Sequence, residues 1–183
     1  YAGLFTHMDA DADKYGAKAR KQINKDLYGK MGTEDERLVW WNPKDANNKD
    51  GGYQQEKFKF SDIQTWMGDY VWMRIEEMYL IAAEASVRLN KGDAAKYINV
   101  LRTRAGAGTV SESQVDLNYI FDEYARELCG ECARWYLLKR NAAFETRLAA
   151  YNKRAAEHFK KEFYLRPIPT KYLDAINNPA EFG

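Results

Sequence analysis

Two histidines, two cysteines and four prolines are all that these 183 residues contain, and each scarcity excludes something. His7 and His158 stand far apart with no second ligand at helical or loop spacing, which leaves little for histidine-based catalysis or a zinc site. Two cysteines cannot frame a disulfide scaffold, and a chain of this length buries a core without one. No proline falls between Pro43 and Pro167, so nothing in that span forbids helix. No apolar run approaches the roughly 18 residues needed to span a bilayer. Excess charge of one sign is also missing: 28 Lys and Arg against 27 Asp and Glu leave a net charge of +1, which argues against a nucleic-acid partner. Gly-rich phosphate loops, a G-x-S-x-G elbow and H-E-x-x-H are absent. No catalytic residues, cofactor or metal are therefore expected.

Aromatic residues are plentiful, with 13 Tyr, 8 Phe and 5 Trp; composition alone does not say whether they pack or face a ligand. The opening, "YAGLFTHMDADADKYG", lacks a start methionine and the basic and apolar regions of a secretion signal. It predicts that these residues belong to something longer, whose remainder carries any address or anchor.

The chain divides by composition into a loop-rich segment, 1–68, and a helical region, 69–183. Glycines and the stretch "NPKDANNKDGG" mark turns in the first. A helix is expected from Lys14 to Leu27, and "RLVWW" and "YQQEKFKF" alternate like short strands of a β-hairpin. Acidic groups such as Glu34 to Glu36 around Asp35, or Glu76 and Glu77, read as solvated charge.

In "DYVWMRIEEMYLIAAEASVRLN", Val71, Trp72, Ile75, Met78, Tyr79, Ala82 and Leu89 share one face, and Met73, Leu80 and Val87 form a second stripe. Two apolar faces predict a helix sandwiched between neighbours, with Glu84 and Arg88 on its exposed seam. "NKGD" then closes it at Gly92 and opens the next helix at Asp93, which ends at Gly106. The result is a tight αα-hairpin of tetratricopeptide (TPR) type. A long helix from Ser113 or Asp116 to Arg140 follows. Its stripe holds Leu117, Ile120, Phe121, Tyr124, Leu128, Trp135 and Leu138, with Glu131 inside it and Glu127 and Arg134 on its border. Buried carboxylates need cations, so Glu127 and Glu131 are expected to pair with Arg134 or with Arg74 of a neighbouring helix. A further helix is expected from Ala142 to Phe159, then an extended run through Pro167 and Pro169 and a helical turn from Lys171 to Ile176. The fold class is thus all-α.

Cys129 and Cys132 form a C-x-x-C inside "RELCGECARWYLLKR". One such pair supplies two of the ligands that zinc needs. A thioredoxin-like pair wants its first cysteine at a helix N-terminus after a strand, whereas this one follows two turns of helix. A break at Gly130 would let Cys132 open a fresh helix, but two soft residues flanking a buried stripe is the better supported reading.

Three segments together resemble the C-terminal part of SusD/RagB-type proteins, nutrient-binding lipoproteins of Bacteroidetes outer membranes. "MRIEEMYLIAAEASVRLNKGDAAKYINVLRTRAG" is similar to the family's R-x-x-E-x-x-L-x-x-A-E-A helix and its I-N-x-x-R-x-R-A-G closing helix. "IFDEYARELCGECARWYLLKR" resembles D-E-R-x-R-E-L-x-x-E-G-x-R-W-x-D-L, with Tyr124 for the usual Arg and Cys132 for the usual Gly. "YLRPIPTKYLDAINNP" matches a P-I-P segment. The resemblance implies an α–α superhelix of TPR-like hairpins that captures oligosaccharides, or in some members peptides. It also implies a lid on a SusC-like TonB-dependent transporter, at the cell surface, anchored through a lipidated cysteine that this chain does not include. A helical scaffold for protein partners, without a small ligand, is the rival reading, and a C-x-x-C oxidoreductase a remote third.

Glycan binders stack sugar faces on aromatic rings and hydrogen-bond hydroxyls with amides. Trp40, Trp41 and Asn42, near Asn47 and Asn48 and backed by Tyr53 and Trp66, are the expected ligand-binding residues. Trp72 and Trp135 are expected in the helical core.

Overall fold

The computed structural model describes residues 22–43, 52–58, 71–131, 133–165, 167–169 and 173. The chain forms two compact units, Tyr1–Leu137 and Leu138–Gly183, and is mostly helical.

The first unit opens with β1 (Gln22–Asn24) and α1 (Lys25–Gly29), where Asn24 Oδ1 accepts the Asp26 N–H at 2.8 Å. A 3-10 turn (Glu36–Trp40) runs into β2 (Trp41–Asn42), and β3 is Gly52–Gln55. The three strands form one antiparallel sheet in the order β1, β3, β2, pairing Ile23 with Tyr53 and Trp41 with Gln55. The expected hairpin pairing is present, but "RLV" is helical and not a strand: Asp35 caps the turn by accepting the Arg37 N–H at 3.0 Å. The expected Lys14–Leu27 helix is a strand and a short helix over its described part, residues 22–27; Ile23, 3% exposed, contributes to the core from β1.

α2 (Ile75–Leu89) and α3 (Ala94–Arg104) make the predicted hairpin. α2 stops at Asn90 in the left-handed region (φ 50°), and the Lys91 N–H reaches back to the Ser86 carbonyl at 3.0 Å, a C-terminal cap that Asn tolerates. Asp93 does not cap α3 with its side chain. It accepts instead from Ser86 Oγ, tying the turn to α2. The cap comes from farther away: the Glu112 carboxylate accepts from the Ala94 and Ala95 N–H groups at 3.0 and 2.7 Å. Two orphan donors and the positive end of the helix dipole are satisfied by one acid.

α2 differs from the expected sandwich. Leu80, Ala83, Glu84 and Ser86 are buried, while Ile75, Met78, Ile81 and Leu89 are exposed, as are Val71, Trp72 and Met73 in the extended residues before it. Trp72, expected in the core, is 81% exposed because the helix starts at Ile75 and residue 72 never joins its stripe. Glu84 is buried and pairs with Arg88 at 3.2 Å.

The long helix expected to Arg140 is two helices, α4 (Leu117–Glu127) and α5 (Ala133–Arg140). Asp116 caps α4 by accepting the Tyr119 N–H at 2.7 Å. Gly130 at φ 81° makes the break, a conformation costly for any residue with a Cβ. Leu80, Ile98, Leu101, Ile120, Tyr124 and Leu137 are fully buried in this unit. Trp135 is half-buried.

In the second unit, α6 (Phe144–Tyr151) and α7 (Lys153–His158) replace the single expected helix. Asn152 breaks the run and caps α7 through its Oδ1 and the Ala155 N–H. Phe144, Phe159, Phe163 and Tyr164 pack as an aromatic group with centroid distances of 5.1–6.1 Å. The Leu173 N–H bonds the Pro169 carbonyl at 3.2 Å; the rest of the expected Lys171–Ile176 turn lies outside the described residues.

Candidate functional site

The helical unit holds a dense ion-pair cluster. α4 presents Glu123 and Glu127 one turn apart on its buried side, both fully enclosed, and Glu131 follows past its end. Arg37 reaches them from the 3-10 turn: Nη1 bonds Glu123 Oε1 at 2.7 Å and Glu127 Oε2 at 3.1 Å, while Nε and Nη2 clasp both oxygens of Asp35 at 2.9 and 2.8 Å. Arg126 takes the other Glu123 oxygen. Arg74 bonds Glu127 Oε1 at 2.7 Å and both oxygens of Glu131 at 2.7 and 2.8 Å. Arg104 joins Glu127 to Glu76, at 2.5 and 2.6 Å. Lys57 bonds Glu131 and, at 2.6 Å, the Glu127 carbonyl. Forked guanidinium–carboxylate geometry of this kind satisfies several lone pairs at once.

The electrostatics follow. Burial works against the Arg37 and Arg74 cations, yet their carboxylate partners outweigh it and hold both above the usual arginine range. Burial alone would raise Glu127; hydrogen bonds from Arg104 and Arg74 reverse this and hold its carboxyl below the ordinary value. Lys57 is pushed down by desolvation, against the pull of Glu131. Every carboxylate of the cluster is ion-paired, so the arrangement fastens elements together. Among the described residues no cluster of His, Cys, Asp and Glu fits a metal ion.

Of the residues expected to pair, Arg74, Glu127 and Glu131 meet here, while Arg134 donates to the Phe121 carbonyl at 2.8 Å. Asp35, expected to be solvated, is 3% exposed, and Glu76 is ion-paired to Arg104 and Arg74. Asp35, Arg37, Lys57, Arg104, Glu123 and Arg126 were not anticipated. The repeat of Glu123, Glu127 and Glu131 every four residues through an apolar stripe was the available signal.

The expected ligand-binding residues divide. Trp40 is half-buried at the end of the 3-10 turn, with the Lys57 ammonium 4.3 Å from its ring centroid. Trp41 points inward, 4% exposed, and its Nε1 finds no acceptor among the described residues. Trp40 ends the 3-10 turn and Trp41 opens β2. Asn42 donates to Glu56 at 3.2 Å, and Tyr53 meets Tyr28 edge to face at 4.7 Å. Trp66, Asn47 and Asn48 lie outside the described residues. Cys129 is a free, half-buried thiol whose pKa is raised by burial, the reverse of a redox-active cysteine; Cys132 lies outside the described residues.

A sequence model of the SusD family (SusD/RagB) matches residues 17–178. The chain belongs to the SusD family. The SusD-like protein P2 of Formosa agariphila is 37% identical over an alignment of 84 residues, covering 39% of this chain and 17% of that protein. The crystal structure of a SusD-like carbohydrate binding protein from Bacteroides vulgatus superposes with a TM-score of 0.60 at 27% identity, over 76% of this chain and 31% of that one. The chain thus spans under a third of the length of these relatives. Within this SusD-family fold, Arg74 of the R-x-x-E helix, Arg104 of R-x-R-A-G and Glu127 and Glu131 of E-L-x-x-E, separate in sequence, form one structure. Gly106 of the same motif, at φ 64°, lets the Glu34 carbonyl approach to where a Cβ would lie 3.0 Å away.

Proposed function

We propose that this chain serves non-enzymatic oligosaccharide capture at the cell surface, as the SusD-type component of a SusC/SusD uptake system with a SusC-like TonB-dependent transporter as its partner. The likeness of three quarters of the chain to the Bacteroides vulgatus carbohydrate-binding protein carries the reading. The ligand-facing group is Trp40 with Asn42, Tyr53 and Trp66, a ring for the apolar face of a pyranose and an amide for its hydroxyls. Trp41, turned inward, is left out of that group. No helix of the described residues is long and apolar enough to cross a membrane; attachment through a lipidated cysteine rests on the family resemblance alone.

Titration of the chain with plant, host and microbial polysaccharides, followed by calorimetry and tryptophan fluorescence, tests this. Saturable binding to one class, lost in Trp40→Ala and kept in Trp72→Phe, is expected. Absence of binding across the panel would overturn the glycan reading for these residues.

A further inference from the structure

Lys57 stands between the ion cluster and the Trp40 ring. Its ammonium lies 4.3 Å from the indole centroid and is held from the other side by Glu131 Oε1 and by the Glu127 carbonyl. Glu131 is itself gripped through both oxygens by Arg74. The backbone at Trp40 is tied to the same segment, since its carbonyl accepts the Glu56 N–H at 2.7 Å, one residue before Lys57. A cation over an indole face is attracted by the ring quadrupole, more strongly when water is excluded, and the Lys57 side chain is only 11% exposed.

We propose that Lys57 is a positioning residue for the Trp40 surface: its ammonium, clamped by Glu131 and the Glu127 carbonyl, sets the orientation in which the indole meets a ligand. The inference rests on the reading of Trp40 as ligand-facing and deepens it, since it makes the ion cluster the foundation of the binding face.

The emission of Trp40 is isolated as the difference between a protein and its Trp40→Phe counterpart, and its exposure as quenching by acrylamide. In Lys57→Met the Trp40 component shifts and its quenching rises about twofold, while Lys57→Arg, which keeps a cation over the ring, restores both. A glycan bound by the unmodified chain binds Lys57→Met about three- to tenfold more weakly, and Lys57→Arg near normally. Should Lys57→Met fail to fold, Glu131→Gln, which loosens the clamp and keeps the ammonium, carries the same expectation. A lower melting temperature with an unchanged Trp40 component overturns the proposal, as does glycan binding that needs Trp40 but ignores Lys57. A shifted Trp40 component in a chain that binds no glycan supports the positioning and removes the glycan reading alone.

Discussion

Arg37 is the residue on which the cluster turns, because its guanidinium is the shared partner of Asp35, Glu123 and Glu127. Removing one member of a buried ion group leaves charge without compensation, and the loss greatly exceeds that of a surface pair. Arg37→Ala is expected to cost about 3–5 kcal/mol in denaturant unfolding. Glu131→Ala, at the partly exposed rim, is expected to cost about 1–2 kcal/mol; equal costs would show that burial does not grade the cluster. Glu127 adds a pH dependence. Its folded pKa lies below the ordinary 4.5, so its contribution is complete above that value and is lost as pH falls through the folded one. Glu127→Gln should flatten the acid side of the stability profile below about pH 4.5, and an unchanged acid limb would contradict the assignment. None of this was legible around Asp35 and Arg37. Three consecutive acids, Glu34, Asp35 and Glu36, read as solvated, and the partners that bury Arg37 lie 86 and 90 positions away.

Elements were legible where local signals and tertiary packing agree. The α2–α3 hairpin was readable from its periodicity and its Asn-Lys-Gly-Asp turn, and α4 from Asp116. Where a single backbone torsion decides, the pattern misled: the apolar stripe runs through Gly130, yet φ 81° there divides α4 from α5. Gly130→Ala should destabilise by about 1–2 kcal/mol, since the left-handed region strains a residue with a Cβ; a neutral or stabilising result would mean the helix prefers to run on. The N-terminus of α3 offers a sharper test. Its cap is Glu112, seventeen and eighteen positions onward, which no local capping pattern discloses. Glu112→Ala is expected to cost about 1 kcal/mol and to speed hydrogen exchange at Ala94 and Ala95, with Asp93→Ala acting instead through its Ser86 bond. Unaltered exchange at those two amides would show that the cap is idle.

In the first compact unit, described residues from both sides of the compositional border are bonded to one another. Arg37 and Lys57 from the loop-rich part enter the same ion cluster as Arg74, Arg104, Glu127 and Glu131, and the Glu36 N–H bonds the Ala105 carbonyl at 2.9 Å, so sheet and helices are fastened at several points. Composition showed two textures because charged turns and apolar stripes look different in sequence; it carried no trace of the bonds across them. Elements joined in this way lose their protection in one cooperative step. Hydrogen exchange of the unmodified chain is expected to open β1–β3 and α2–α4 with a common free energy. Arg37→Ala should split that step, freeing residues 22–43 and 52–58 first and making them the early site of limited proteolysis while α2 and α3 stay protected. If the strands already exchange far faster than the helices before any substitution, the cluster decorates the junction without coupling it. Lys57 would then hold Trp40 against a segment that moves independently, and the ligand face would have to be organised by other contacts.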